Sequence, residues 1–169
     1  MSGGFTGSEG VAFSSEVDTW TTPKPFYNNL NAEFDFQLDA AALSTSALCD
    51  DWYGPDHADP ERQDAFARDW HKDTNGPVWL NPPYGRTIGT WMRKASYECD
   101  KGLLVVCLVP ARTDTAWFQD YCLNQEVRFV RGRLKFGGSK KDAPFPSAVV
   151  VMRPRKKTSS DTQLTLDLG

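Results

Sequence analysis

Residues Leu103 to Val109 form an unbroken run of apolar side chains, and this run constrains the fold more than any other stretch of the chain. A strand with one face in solvent alternates apolar and polar residues, whereas a strand of a parallel sheet is covered on both faces and is apolar throughout. Pro110 follows the run and has no N–H to donate to a sheet ladder, so the strand ends there. We therefore predict a central parallel strand over 103–109.

Helical periodicity is found on both sides of this strand. In the helix predicted before it, one face is formed by Ile88, Trp91, Met92 and Ala95, at the spacing of successive helical turns. In the helix predicted after it, the buried side is formed by Trp117, Phe118, Tyr121 and Cys122. Strands that alternate with helices indicate an α/β fold with a mostly parallel sheet.

The remaining elements are predicted from shorter patterns. Further strands are predicted at 34–39, 78–80, 127–130, 134–136 and 148–152. Because the last of these follow one another without helices, the sheet is expected to finish in an antiparallel terminal hairpin.

Two more helices and a loop complete the predicted order. One helix is predicted from Lys24 to Leu30, with Pro25 in its first turn. Another is predicted to begin at Asp59-Pro60 and to continue to Trp70. The segment from Cys49 to Asp59 is predicted to be a loop.

The length and composition fit one globular domain, since the chain has 169 residues and is 40% hydrophobic. We expect a flexible, Gly/Ser-rich lead over 1–15 without the pattern of a secretion signal, a folded domain over 16–153 and a disordered tail over 154–169. A run of about 18 apolar residues, as a membrane span requires, is not found. A cytoplasmic protein is expected.

The cysteines and histidines are few and far apart, namely Cys49, Cys99, Cys107 and Cys122 with His57 and His71. Since none of the cysteines forms a Cys-x-x-Cys pair, we expect neither a zinc site nor a disulfide framework. Buried free thiols are the default for such a chain.

Positive charge is concentrated near the carboxyl end. Residues 128–157 carry ten lysines and arginines and one acid, whereas residues 1–127 carry nine basic and nineteen acidic residues. A basic face built from one part of the chain is typical of nucleic-acid binding. A solvated sheet edge protected by lysines is an equally good explanation of the charge alone.

The stretch Asn81-Pro82-Pro83-Tyr84 points most directly to a chemistry. Two prolines end the strand 78–80, and Pro83 holds Pro82 extended. The stretch thus presents an amide side chain, a free carbonyl and an aromatic ring. Two acceptors aimed at an amino group conjugated to a ring would free its lone pair for attack, and a tyrosine could stack on that ring. The structural alternative is a proline-rich turn with a packed tyrosine.

Asp39 is a candidate for holding a polar group of a cofactor. It lies at the carboxyl end of a predicted strand, where open α/β sheets bind their ligands. A cap for a following helix or turn over Ala40 to Leu43 is an equally good explanation.

Several stretches together resemble the phage-type DNA N6-adenine methyltransferase (Dam) family. These are Asp18-x-Trp20-x-Thr22-Pro23, Phe36-x-Leu38-Asp39-Ala40-Ala41-Ala42, Val78 to Tyr84, Val109 to Phe118, and Arg131 to Phe136 with Ala143-Pro144-Phe145. The resemblance covers about residues 16–153. It implies a Rossmann-like class I methyltransferase sheet with a reversed last strand.

The resemblance also implies roles for individual residues. S-adenosylmethionine would lie near Thr22, Pro23, Asp39, Ala40 and Ala41. The adenine amino group would donate to Asn81 and Pro82, while Pro83 would complete the motif and Tyr84 would stack on the flipped base. One departure is that Asp39 precedes alanines where many methyltransferases have Gly-x-Gly, and alanine adopts fewer backbone angles than glycine.

The implied partner is double-stranded DNA, methylated at specific sites, in a bacterial or phage-infected cell. Phosphate or base contacts are predicted for Arg86, Arg112, Arg131, Arg133, Lys140 and Lys141. Arg112 and Arg133 could instead be partners in structural ion pairs. The tail residues Gln163, Leu164, Leu166 and Leu168 resemble the peptide by which DNA-handling proteins dock on the bacterial sliding clamp.

Two alternatives remain open at this point. The same motif suits other conjugated amines, such as cytosine N4 or an RNA base. A non-catalytic DNA-binding accessory protein is a second, different class.

Overall fold

The computed structural model describes residues 20–156. The predicted lead over 1–15, most of the predicted tail and the clamp-like motif Gln163-Leu164-x-Leu166-x-Leu168 lie outside the described residues. The folded domain is therefore seen from Trp20 onward.

Within this described range, six strands form one mixed sheet in the order β2-β1-β3-β4-β6-β5. The strands are β1 (Leu38–Asp39), β2 (Asp51–Trp52), β3 (Val78–Leu80), β4 (Val105–Pro110), β5 (Glu126–Phe129) and β6 (Ser147–Met152). The pairs β1–β2, β1–β3 and β3–β4 are parallel, while β6 runs antiparallel to both β4 and β5. The predicted mostly parallel α/β sheet with a reversed last strand is confirmed.

The antiparallel pair at the end of the chain differs in detail from the predicted hairpin. β5 and β6 are joined by the long segment 130–146, and β6 lies between β4 and β5. The strand predicted at 134–136 is wrong. Phe136 is buried there because it packs on the rings of Trp20 and Tyr84, and Leu134 pairs through its carbonyl with Ala143 and not with a strand.

Residues 20–156 contain three α-helices, α1 (Lys24–Phe34), α2 (Ile88–Asp100) and α3 (Ala116–Tyr121), and all three were predicted. α1 is longer than expected and includes Phe34, so the strand predicted from residue 34 is wrong at its start. Asp35 ends the helix in the left-handed conformation (φ 56°), and β1 begins only at Leu38.

The helix predicted over 59–70 is also wrong. Only short 3-10 turns occur there, at Pro60–Arg62 and Trp70–Lys72. The carboxylates of Asp59, Asp64 and Asp69 each accept a hydrogen bond from a backbone N–H two residues later. Such local bonds compete with helix formation, so each aspartate starts a turn and no helix propagates.

An ionic network holds this turn-rich segment against the edge of the sheet. Arg68 donates two hydrogen bonds to the carboxylate of Asp73 (2.7 and 2.8 Å), and Arg62 and the Tyr53 hydroxyl group donate to the same carboxylate. Tyr53 directly follows β2, which lies within the predicted loop 49–59. β2 was missed because its two residues are exposed or half-buried and make no apolar run.

The core is centred on β3, β4 and β6, whose residues are all buried. The prediction of a central strand covered on both faces is thereby confirmed for β4. On α1, Tyr27 packs edge-on against Trp79 of β3 with ring centroids 5.5 Å apart. α2 contributes Trp91 and Met92 to the core. These layers leave the carboxyl ends of β1, β3 and β4 at one edge of the sheet.

Candidate active site

A cavity of about 280 Å³ lies at the carboxyl edge of the sheet. Its walls come from three separated segments, residues 20–22 before α1, residues 39–48 after β1, and residues 79–83 at the end of β3. The carboxyl ends of neighbouring parallel strands meet at such an edge, which is where open α/β sheets hold ligands. The predicted location of a ligand site is therefore matched by a cavity.

The side chain of Asn81 is held by two acceptors on the segment before α1. Its Nδ2 donates to the main-chain carbonyl oxygen of Trp20 (2.5 Å) and to Oγ1 of Thr22 (3.0 Å). Its Oδ1 is buried and has no hydrogen-bond partner within residues 20–156. A buried amide oxygen without a partner is costly in a folded protein. Oδ1 is thus the part of the Asn81 amide that is left without a partner beside the cavity.

The two prolines of the motif are buried and line the same cavity. Within the described part of the chain, no hydrogen bond is made to the carbonyl oxygen of Pro82. The strand ends at Leu80, as predicted from the missing N–H groups of Pro82 and Pro83.

Tyr84 lies inside the protein and not in the cavity. Its ring is 2% exposed and meets Phe145 and Phe136 edge-on, at centroid distances of 5.5 and 6.3 Å. Its hydroxyl group donates to the carbonyl oxygen of Leu108 (3.2 Å), and burial raises the pKa of the phenol. In this conformation no face of the ring is open to a base, so stacking would require the segment that carries Phe136 and Phe145 to move.

Asp39 is 2% exposed and lines the cavity. Its Oδ1 accepts from the N–H of Ala41 (3.3 Å), and its Oδ2 accepts from the N–H of Leu48 (3.1 Å). Burial raises the pKa of this carboxyl group to about 7, although the two backbone donors lower it. Asp39 therefore ties together the two ends of the segment 41–48. The residues directly after Asp39 form a turn and not an α-helix, so of the proposed caps the turn is present and the helix is not.

The predicted cofactor residues divide into two groups. Thr22, Asp39 and Ala41 line the cavity. Ala40 is fully buried and donates through its N–H to the carbonyl oxygen of Trp79 (2.9 Å), and Pro23 precedes α1 as its N-cap. Neither of these two lines the cavity.

The sequence also left several wall residues unidentified, namely Thr21, Leu43, Thr45, Ser46 and Leu48. The signal that could have found them is their position in the turn after Asp39, or beside Thr22. Nothing in their types distinguishes them from ordinary loop residues.

The segment after Asp39 does not need glycine. Among residues 20–156, Asp35 is the only non-glycine residue with a positive φ, so the alanines at 40–42 adopt ordinary backbone angles. A glycine is needed instead at Gly54, which packs against this segment: a Cβ atom there would lie 1.8 Å from the carbonyl oxygen of Ala42. The absent Gly-x-Gly is therefore compatible with this cavity.

The six predicted DNA-contacting residues are all exposed on segments that leave the carboxyl edge of the sheet. Arg86 lies between the motif and α2, and Arg112 follows β4. The other four lie in the segment 130–146, namely Arg131, Arg133, Lys140 and Lys141. None of the six forms an ion pair with another residue of the described chain, so the ion-pair alternative for Arg112 and Arg133 finds no partner there.

Two other residues of the basic C-terminal third are paired, namely Arg128 on β5 and Arg153 directly after β6. Arg128 contacts Glu33 (2.7 Å) and Glu126 (2.6 Å), and Arg153 contacts Glu126 (3.0 Å). Both guanidinium groups also lie over the ring of Phe34. The positive charge therefore divides into a paired part on and just after the strands β5 and β6 and an exposed part on the segments that leave the carboxyl edge of the sheet.

In the part of the chain that the structure describes, no three His, Cys, Asp or Glu side chains are grouped so that they could hold a metal ion. None of its helices is both long and apolar enough to cross a membrane.

The fold and the site define an α/β protein with a ligand cavity at the carboxyl edge of its sheet and exposed cations around it. Residues 11–165 match the family model for DNA N-6-adenine-methyltransferase (Dam). The chain belongs to that family, and the resemblance noted from its motifs is confirmed. The chain is also 32% identical over 104 residues to a DNA N-6-adenine-methyltransferase of Escherichia phage T1. That match covers 61% of this chain and 40% of the phage protein.

Proposed function

We propose that this chain transfers a methyl group from S-adenosylmethionine to N6 of adenine in double-stranded DNA. The observation that carries the proposal is the buried, unpartnered Oδ1 of Asn81 beside a cavity at the carboxyl edge of the sheet. The family match and the name of the phage T1 relative support adenine in DNA as the substrate.

The acceptors at the end of β3 suit an exocyclic amine. An adenine amino group has two N–H bonds, and its lone pair is delocalised into the ring. Donation to Asn81 Oδ1 and to the carbonyl oxygen of Pro82 would favour a pyramidal nitrogen whose lone pair points away from both acceptors. Because both acceptors are uncharged and buried, they act on this nitrogen without competition from water.

Features of the cavity wall support S-adenosylmethionine as the cofactor. When bound, S-adenosylmethionine supplies a methyl group on a positively charged sulfur. Thr22 and the carboxylate of Asp39 offer polar contacts, and the small side chain of Ala41 leaves space beside them. The reversed strand β6 between β4 and β5 supports a Rossmann-like class I methyltransferase sheet.

The exposed cations fit a nucleic-acid duplex at the mouth of the cavity. Arginine and lysine on the segments that leave this edge would contact phosphates and set the register of the DNA. An adenine inside a duplex cannot reach a buried acceptor, so the target base must be rotated out of the stack. Methylation of DNA by this protein would take place in the cytoplasm of a bacterium or of a phage-infected cell.

The alternatives have less support. Cytosine N4 and RNA bases pose the same lone-pair problem, but the family match names adenine in DNA. A non-catalytic accessory protein would have no use for a buried, unpartnered amide oxygen in a cavity.

Transfer of label from S-adenosylmethionine to unmethylated duplex DNA, followed by mapping of the modified base, tests the proposal. We expect label in N6-methyladenine, with the rate about 100-fold lower in Asn81→Ala. Asn124→Ala is the matched control, because Asn124 is exposed beyond α3 and near the start of β5, at the opposite edge of the sheet. Folded protein that leaves adenine unlabelled, or Asn81→Ala with full activity, would contradict the proposal.

A further inference from the structure

We propose that the main-chain carbonyl of Trp20 and the hydroxyl group of Thr22 are positioning groups that set the orientation of the Asn81 amide and select an amide over a carboxylate at this position. This inference rests on the proposed function, because the orientation matters for a substrate that donates to Oδ1. Neither group needs to touch the substrate for this role.

The argument starts from the two orientations that an asparagine amide can adopt. A rotation of 180° would exchange Oδ1 and Nδ2 with little change in shape. A carbonyl oxygen only accepts hydrogen bonds, so the Trp20 carbonyl, 2.5 Å from the amide nitrogen, requires that nitrogen and excludes the oxygen. Oγ1 of Thr22 accepts the second N–H of the same group (3.0 Å). Both N–H groups are thus engaged, and Oδ1 is left for a ligand.

The segment that carries these two acceptors is itself firmly held. The ring of Trp20 packs edge-on against Phe145 and Phe136, at centroid distances of 5.2 and 5.5 Å. The carbonyl oxygen of Thr21 accepts from the N–H of Gly137 (2.9 Å), and Thr22 is 5% exposed. An acceptor on such a segment keeps its position, which is what orienting another side chain requires.

The same contact discriminates against aspartate. In Asn81→Asp, an ionised carboxylate would place an oxygen against the Trp20 carbonyl oxygen, where the wild-type protein has an N–H. Burial and this repulsion both favour the protonated acid. The protonated form can donate to Trp20 and keep its other oxygen as an acceptor, so it reproduces the amide. Asn81→Asp is therefore expected to work only where its carboxyl group is protonated.

The first experiment compares Thr22→Val, which removes the acceptor at nearly constant shape, with Thr22→Ser, which keeps it. In Thr22→Val we expect kcat, measured at saturating S-adenosylmethionine, to fall about five-fold, as for the loss of one hydrogen bond to Asn81, whereas the lost polar contact with the cofactor affects its dissociation constant. Thr22→Ser should restore most of the rate. A Thr22→Val protein whose whole loss lies in cofactor affinity would show that Thr22 is only a cofactor contact and would overturn the proposal.

The second experiment measures the rate of Asn81→Asp relative to the wild type from pH 8 to pH 6. We expect a loss of about 100-fold at pH 8 and a ratio that rises at least about ten-fold towards pH 6. Asp39 is the ionisable side chain among the described residues that line the cavity, and its titration would couple to that of a new carboxyl group, so the ratio is measured in the Asp39→Asn background, where the new carboxyl group titrates alone. A ratio that is independent of pH would overturn the selection of amide over carboxylate.

A third measurement needs no catalytic activity and so separates this inference from the proposed function. The Asn81 side-chain NH2 signals, identified by their loss in Asn81→Asp, should exchange slowly with solvent, and faster in Thr22→Val. Protected amide protons in a protein that does not methylate adenine would refute the proposed function alone. If the enzyme is active but its Asn81 NH2 protons exchange as fast as those of the exposed Asn124, the proposed orientation of the Asn81 amide alone would be refuted.

Discussion

The hydroxyl group of Tyr84 donates to the carbonyl oxygen of Leu108, 3.2 Å away on β4, and so ties the motif at the end of β3 to the neighbouring strand. The ring is covered by Phe136 and Phe145, which both belong to the segment between β5 and β6. A tyrosine that is to meet a flipped base must therefore first be uncovered. The segment that carries most of the exposed cations is the one that covers it.

Two substitutions should separate the role of the Tyr84 hydroxyl group from that of its ring. Tyr84→Phe removes the bond to Leu108 and keeps the ring, so we expect a loss of about 1 kcal/mol in the free energy of unfolding with nearly full methyl transfer. Tyr84→Ala removes a buried ring and should cost about 3–5 kcal/mol as well as most of the activity. Chemical denaturation and the methylation rate, measured on both variants, check this. Equal activity in Tyr84→Ala and wild type would exclude stacking.

The raised pKa of Asp39 predicts a pH-dependent stability. The folded protein holds the proton up to about pH 7, whereas the unfolded chain releases it near the ordinary value of 3.8. Between these values the native state binds more protons, so the free energy of unfolding falls as pH rises, by an amount on the order of 4 kcal/mol from this group. Asp39→Asn should abolish this part of the dependence in denaturation curves at pH 4.5 and pH 8. If the free energy of unfolding of Asp39→Asn changed between these two pH values as much as that of the wild type, the raised pKa of Asp39 would be contradicted.

The lowered pKa of Asp73 predicts the opposite trend at lower pH, where the free energy of unfolding falls as pH falls. Its hydrogen bonds from Arg68 lead the causes that lower its pKa to about 2. The stabilisation is fully present above the unfolded pKa near 3.8 and is lost as pH falls towards 2. Arg68→Met leaves a carboxylate with 5% side-chain exposure without its main partner and should cost about 3 kcal/mol at pH 7. Acid denaturation should then begin at a higher pH.

Asp142→Asn serves as the control for that prediction. Asp142 pairs with Lys135 at 3.8 Å, and both side chains are more than half exposed. Exposed pairs of this kind contribute little to stability, so the acid transition should not move.

Gly54 predicts a link between packing beneath the cavity and cofactor binding. A Cβ atom at this position would lie 1.8 Å from the carbonyl oxygen of Ala42, which also lines the cavity. Because this neighbour is backbone, Gly54→Ala must shift the segment after Asp39, and we expect weaker binding of S-adenosylmethionine together with lower stability. Isothermal titration and thermal unfolding measure the two effects.

Gly89→Ala is the matched control. Its Cβ atom would lie 3.4 Å from Cβ of Trp117, an ordinary contact, and residue 89 is within α2. Alanine is favoured over glycine in a helix by about 1 kcal/mol, so this variant should be slightly more stable and bind the cofactor normally. Similar losses in both variants would show that the effect at Gly54 is not local.

The division of the basic residues predicts the salt dependence of DNA binding. The double variant Arg131→Ala and Arg133→Ala should lower the slope of log affinity against log salt concentration by about 2, as each lost phosphate contact lowers it by about 0.9. Arg128→Ala should leave the slope unchanged, because this guanidinium is engaged by Glu33 and Glu126. Fluorescence anisotropy with a labelled duplex at several salt concentrations checks both. If Arg128→Ala lowered the slope as much per residue as the Arg131 and Arg133 substitutions, the division into paired and exposed basic residues would be contradicted.

Local patterns predicted much of the fold, and their failures have a common cause. The apolar run at β4, the face of α2 and the proline stop after Leu80 were all read correctly, because each depends on periodicity or on a missing N–H. The prediction of a helix over 59–70 was wrong because aspartate side chains accept hydrogen bonds from nearby backbone N–H groups and so stabilise separate turns. β2 was missed because a two-residue edge strand is defined by its partner β1 and not by its own composition.

The sequence by itself determined that a strand ends before Asn81 and that two prolines follow this residue, and it predicts that the stretch suits a conjugated amine. Only the tertiary structure decided which way the Asn81 amide faces, because its partner on Trp20 is 61 residues away in the chain. It also decided that Tyr84 is covered and that Arg128 is paired while Arg131 and Arg133 are exposed. Periodicity and backbone restrictions act between neighbours in sequence, whereas the direction of a hydrogen bond depends on which distant group folding brings within about 3 Å.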